Sequence, residues 1–203
     1  MTYLSTLARA ARLGAARKRG VTLIEAVLYI SIALALIVGG LVFFQQASLA
    51  QRTNSAVRNI SAIASETRGL YQQQNSFTGF DQGALINAGA VPSSLIDNSV
   101  NPAVLRNEWG GVITAASTAD GTGFTVVYPS LPTSACVRLT SADSTGSGRV
   151  GSGIRSVSFK LPTGTFTTEV TPAANALSPS AVAANALCGQ TGGIVDVRFT
   201  FNR

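Results

Sequence analysis

Arg17-Lys18-Arg19-Gly20-Val21-Thr22-Leu23-Ile24-Glu25 runs directly into an apolar stretch that ends near Phe44. Arg9, Arg12, Arg17, Lys18 and Arg19 precede this junction, with no acid among them. From Val21 to Phe44 the chain has 24 residues and one charge, Glu25. As a helix that run is long enough to cross about 30 Å of hydrocarbon. The basic flank holds the N-terminal part in the cytoplasm and sends the C-terminal part outward. A carboxylate inside hydrocarbon is costly unless it finds a partner. A cut after Gly20 would create that partner, a free amine on Val21.

Two other readings compete. A conventional secretory signal would be cleaved near Ser48-Leu49-Ala50, but its apolar region should be about 7–15 residues long and free of acids. An uncleaved membrane anchor fits the length and leaves Glu25 unexplained.

The glycine junction, the apolar run and the carboxylate five residues past the cut resemble the processing site of type IV prepilins. The resemblance implies a leader over residues 1–20, removed by a prepilin peptidase between Gly20 and Val21, with N-methylation of Val21. A glycine at the cut lets the backbone lie close against a protease. The family gives the position of Glu25 an assembly role, an ionic pair with the N-terminal amine of a neighbouring subunit. A pair of that kind within apolar packing acts as a register device more than as net stabilisation. Val21 stands where the commoner pilins have Phe, and the 20-residue leader is longer than theirs. Both features are similar to the type IVb class, whose pilins serve adhesion, aggregation and conjugation.

The net charge of +6 and pI near 10.0 would ordinarily suggest nucleic acid. Five of the fifteen basic residues lie in the leader, which leaves ten against nine acids in the remainder. A nucleic-acid role is therefore discarded. Cys136 and Cys188 fall in the part sent outward, where two cysteines read as a disulfide; two buried free thiols are the alternative. The resemblance also implies a bridge that bounds a C-terminal region, here residues 136–188.

Past the membrane segment the helical pattern continues with a changed face. Leu49, Ala50, Val57, Ile60, Ile63, Ala64, Leu70 and Tyr71 recur at helical spacing, and Gln45, Gln51, Arg52, Asn54, Arg58, Asn59, Glu66 and Arg68 fill the other side. With no proline from Val21 to Gln74, the pattern predicts one helix over about 21–73, with 21–44 in the membrane or a filament core. Gly39-Gly40 is its weak point, at about 1 kcal/mol per glycine relative to Ala; close helix packing and local melting on assembly both account for it.

Residues 74–203 read as a globular head. A Gly, Ser, Asn and Pro-rich connection over Asn75–Arg106 has a short helix near Pro92–Ile96. A strand opens at Trp109-Gly110-Gly111, in an entry similar to the head sheet of type IVb pilins, with Trp109 as a core residue. Phe124–Tyr128 answers across Asp120-Gly121-Thr122-Gly123. Short helices are expected at Pro132–Thr140 and, capped by Ser178 or Ser180, at Ser178–Leu187. Ile154–Leu161, Thr165–Val170 and Ile194–Phe201 read as strands, the last with clean alternation. The expected fold class is α+β, a type IV pilin fold with a long helix on an antiparallel sheet of about four to six strands.

The chain has no His, so His-based catalysis and His metal sites are excluded. Gly146-Ser147-Gly148-Arg149-Val150-Gly151 satisfies a G-x-G-x-x-G pattern but leads into a strand and not a helix, so it reads as a surface loop. No catalytic residue, metal site or cofactor is expected. The resemblance implies a structural subunit: a precursor in the inner membrane of a Gram-negative cell, processed by prepilin peptidase, handled by the pilus assembly machinery, and polymerised as a homo-oligomer into an extracellular filament. The alternatives are a minor pilin or type II secretion pseudopilin, and a membrane-anchored periplasmic binding domain using Trp109.

Overall fold

Helix α1, Leu23–Leu70, is 48 residues long and continuous through Gly39-Gly40. In the computed structural model, residues 22–162, 164–167, 169–184, 186–189 and 193–203 are described. The chain forms two compact units, Met1–Gln45 and Gln46–Arg203. In the second unit α1 buries a single stripe made by Thr53, Ala56, Ile60, Ile63, Ala64 and Thr67. The three- and four-residue spacing keeps these side chains on one face. Thr53 and Thr67 enter it because their hydroxyls donate to the carbonyls of Leu49 and Ile63 one turn back.

That stripe joins the core of a six-stranded antiparallel sheet. The strands are β1 Ile96–Asp97, β2 Val104–Arg106, β3 Val112–Ser117, β4 Gly123–Pro132, β5 Ile154–Lys160 and β6 Ile194–Asn202, in the order β1-β2-β3-β4-β6-β5. The alternation expected for the last strand holds as far as Phe199: Val195, Val197 and Phe199 are buried, and Ile194, Asp196 and Arg198 are not, but Thr200, expected to face outward, is buried along with Phe201. Register aligns Phe124 with Phe201, Val126 with Phe199, and Tyr128 with Val197 on the core face. Aromatic rings extend this face to the end of α1, through Tyr71, Phe77, Phe80, Phe124, Phe201 and Phe199 at centroid distances of 5.2–6.3 Å. Arg68 covers Phe124 and Phe201 and donates to the carbonyls of Ser152 and Asn202, tying the end of α1 to the one end of the β5–β6 pair where β5 begins and β6 finishes.

Several expectations need correction. Leu70, expected on the packed face of α1, is exposed, while Asn59 and Arg68, expected on its polar side, reach the head. Asn75–Arg106 is more than a connection. It contains helix α2, Gln82–Asn87, capped by Asp81 Oδ1 accepting from Ala84 N at 2.7 Å, as well as β1, β2 and the expected short helix, a 3₁₀ turn at Ser93–Leu95. Thr165–Val170 does not form a strand in its described residues. Val170 makes one bridge to Val157, and at Phe159 the Thr167 hydroxyl accepts the backbone N–H in place of a carbonyl. A side chain that takes an edge donor interrupts the ladder. The two short C-terminal helices appear as expected, α3 at Thr133–Thr140 and α4 at Pro179–Ala184. Ser178 caps α4 by accepting from Ala181 N, with Pro179 at the first helical position, where proline has no N–H to lose.

The Asn107-Glu108-Trp109-Gly110-Gly111 entry is a built turn. Asn107 Oδ1 accepts from the backbone N–H of Trp109 and Gly111, and its amide donates to Pro129 O. Gly110 has φ +83°, and a Cβ on Gly111 would lie 2.7 Å from Pro129 Cγ. The turn aims Glu108 inward, where one oxygen accepts from Asn59 Nδ2 at 2.6 Å and the other from Tyr128 Oη at 2.8 Å. Burial, then the nearby Glu108 charge, pushes the Tyr128 phenol well above its ordinary value, so it stays a donor. Trp109 packs half-buried against the core beside this clamp.

At the β1 edge, Asp97 pairs with Arg106. The Ser99 hydroxyl, then Arg106 and the Ser99 N–H, lower the Asp97 carboxyl to about 2. The folded value lies below the unfolded one, so the linked stability is complete above the ordinary carboxylate range and is lost as pH falls through about 2.

Glu108→Ala should lower stability by roughly 2–3 kcal/mol, because it strands a buried phenol and an amide at once. Tyr128→Phe should cost less, since Glu108 keeps Asn59; urea unfolding of both variants checks the order. Carboxyl NMR titration should place the Asp97 midpoint at about 2 and move it up in Ser99→Ala. An ordinary midpoint in the unmodified chain would contradict the Ser99 and Arg106 contacts.

Candidate functional site

In the first unit the described part is the apolar half of α1, and it has no covered face. Val27, Leu28, Tyr29 and Ile30 are 55–61% exposed. Four consecutive positions circle a helix of 3.6 residues per turn, so the surface offered is apolar all round. It is the one described helix long and apolar enough to cross a membrane. Its 23 residues from Leu23 to Gln45 rise roughly 35 Å, a close match to a hydrocarbon layer.

Glu25 is the only charged residue from Thr22 to Gln45 and lies exposed in the first turn of α1. Thr22 caps the helix, its Oγ1 accepting from Glu25 N at 3.3 Å and its carbonyl from Ala26 N at 3.0 Å. Thr22-x-x-Glu25 is a capping-box spacing, a signal the hydropathy reading passed over. Tyr29 Oη, one turn on, donates to Glu25 Oε1 at 3.3 Å. The carboxylate is thus placed at the positive end of the helix dipole, held by the Tyr29 hydroxyl and by no cation among the described residues. Gly20 and Val21, the expected cleavage and methylation positions, lie outside the described residues.

In the second unit Cys136 of α3 and Cys188, just past α4, form a disulfide with Cα atoms 5.8 Å apart and 52 residues of separation. The two sulfurs are bonded to each other, so the alternative of two buried free thiols is set aside. The bridge holds α3 against the segment after α4 and encloses β5. The G-x-G-x-x-G segment is a surface loop organised on Asp143, whose Oδ1 accepts from the N–H of Thr145 and Ser147. It enters β5, as a phosphate loop would not.

The family model described as PilS N terminal matches residues 50–189, from the buried half of α1 to just past Cys188. The chain belongs to this family of type IVb pilins. Among curated proteins, this pilin is similar to the major structural subunit of the bundle-forming pilus of Escherichia coli O127:H6 (strain E2348/69 / EPEC). It is similar in the same degree to that of Escherichia coli O111:H-. Each is 27% identical over 124 residues, covering 60% of this pilin and 63% of the relative. The chain thus spans less than two thirds of the length of the curated relatives it matches. The family match begins after the apolar half of α1, so the pilin assignment and the reading of Glu25 rest on different residues.

Removal of the bridge by Cys136→Ser and Cys188→Ser together should lower the stability of the head by up to about 4 kcal/mol in the chain-entropy account. Urea unfolding of the full chain in detergent, with and without reductant, checks this. An unmoved transition would contradict a structural role for the bridge.

Proposed function

We propose that this pilin is the structural subunit of a type IVb pilus, made as an inner-membrane precursor in a Gram-negative cell. A prepilin peptidase removes residues 1–20 and methylates Val21, and the assembly machinery moves the apolar half of α1 from bilayer to filament core. The observation that carries this reading is a helix surface apolar on every side and interrupted once, at Glu25. A lipid environment covers such a surface before assembly, and sister helices can replace it without exposing it to water. The two solvents are close to equivalent for aliphatic side chains, so the transfer is not opposed by the hydrophobic effect.

The carboxylate then selects which arrangement forms. In hydrocarbon it has the Tyr29 hydroxyl and no counter-charge among the described residues. A neighbour's Val21 amine supplies one, and a wrong stagger would leave both charges unpaired in an apolar core, which is strongly unfavourable. Adhesion or aggregation of cells belongs to the surface of the head, which such a filament would display.

Mass spectrometry and N-terminal sequencing of protein sheared from the cell surface test this reading. The expected product begins at methylated Val21 and is two hydrogens light for the disulfide. An intact Met1 chain confined to membranes would overturn it in favour of an anchored domain. Glu25→Ala should leave processed, membrane-resident subunits and few filaments. Tyr29→Phe, which removes only the intrahelical partner, should leave filament yield unchanged; equal loss in both variants would mean that Glu25 acts within its own helix.

A further inference from the structure

The face of the sheet opposite α1 carries side chains that neither the core nor the helix uses. Register places Ala116, Thr125, Thr200 and Ser156 in one row across β3, β4, β6 and β5, and Thr114, Val127, Arg198 and Ser158 in the next. Over β5 and β6 this face is closed. Val170 bridges Val157, Ser156 donates to Glu169 Oε2 at 2.8 Å, and Ser156, Ser158 and Thr200 are at most 2% exposed. Over β3 and β4 it is open, as a groove of about 420 Å³ lined by Thr114, Ala116, Thr125, Val127, Glu169 and Arg198.

One charged group at this groove is unspent. The Arg198 guanidinium lies 3.9 Å from the centroid of the Phe166 ring, which fixes its plane. It has no hydrogen-bond acceptor or ion-pair partner among the described residues, and its N–H groups remain available in a rigid fork. Glu169 adds an acceptor, and Ala116 and Val127 give the floor an apolar strip.

We propose that this groove binds a carboxylated sugar. The Arg198 fork takes the carboxylate in a charge-assisted pair of hydrogen bonds. Glu169 and the Thr114 and Thr125 hydroxyls meet ring hydroxyls, and the C–H face of the ring lies on Ala116 and Val127. The volume falls in the range of small-ligand sites. An apolar ligand would leave Arg198 unpaired, and a phosphate would set its second negative charge beside Glu169. This site is separate from the apolar helix, so its test does not depend on filament formation.

Titration of the full chain in detergent micelles with galacturonate, galactose and acetate, followed by NMR, tests the proposal. Galacturonate should bind about tenfold more tightly than either of the others, the difference one charge-assisted contact supplies. Arg198→Gln should bring galacturonate to the level of galactose, and Thr125→Val should weaken both sugars. Thermal unfolding checks that the variants keep the fold. Arg198→Lys, with charge but no fork, should give an intermediate loss. Equal binding of galacturonate and galactose, acetate binding as tightly as galacturonate, no response to galacturonate, or galacturonate affinity unmoved by Arg198→Gln and Arg198→Lys would each overturn the site.

Discussion

One stripe of α1, from Thr53 to Thr67, is the surface on which the head is built. The core strands present Phe124, Val126, Tyr128, Val197, Phe199 and Phe201 toward the buried cluster that includes this stripe. Because side chains alternate along a strand, that one burial decides which residues face outward. Glu108 adds direction to a contact that hydrophobic burial alone would leave free to slide. Its two oxygens reach Asn59 on the helix and Tyr128 on the sheet, and Arg68 repeats the arrangement at the other end of the stripe. Two polar anchors about two and a half turns apart on one helix set its register against the strands.

The apolar half of the same helix obeys a different rule. Its backbone hydrogen bonds are satisfied internally, which makes a helix suitable for lipid, and its side chains gain nothing from folding of the head. The carboxylate near its start is the exception to a uniform surface. Tyr29 gives that carboxylate one hydrogen bond without neutralising it. A charge left in this state is the feature by which a partner bearing an amine can be recognised.

What could be read from the sequence followed from how local the signal was. The apolar run and Glu25, the middle of the buried stripe at Ile60, Ile63 and Ala64, the β3–β4 hairpin and the alternation of β6 up to Phe199 were legible because each is a pattern within contiguous residues. Thr53, Ala56 and Thr67 were not, because only their intrahelical hydrogen bonds or small size fit them to the core. Helix α2 was not, since Gly83 breaks its apolar pattern and only the Asp81 cap marks its start. Thr165–Val170 has strand-like composition, yet Thr167 competes through its hydroxyl with the ladder that the composition suggested. The Thr22-x-x-Glu25 spacing was present in the sequence and was masked by the larger hydropathy signal around it.

The sequence by itself determined that the chain has a lipid-compatible helix with one carboxylate and a head with a half-buried C-terminal strand, because hydropathy and period belong to neighbouring residues. It also placed both cysteines in the head. Only the tertiary structure decided that β6 enters between β4 and β5, that Glu108 meets Asn59 across 49 positions, and that Arg198 lines the groove over β3 and β4 with its ring contact to Phe166. These depend on which distant segments compete for the same surface, and no local pattern encodes the outcome of that competition.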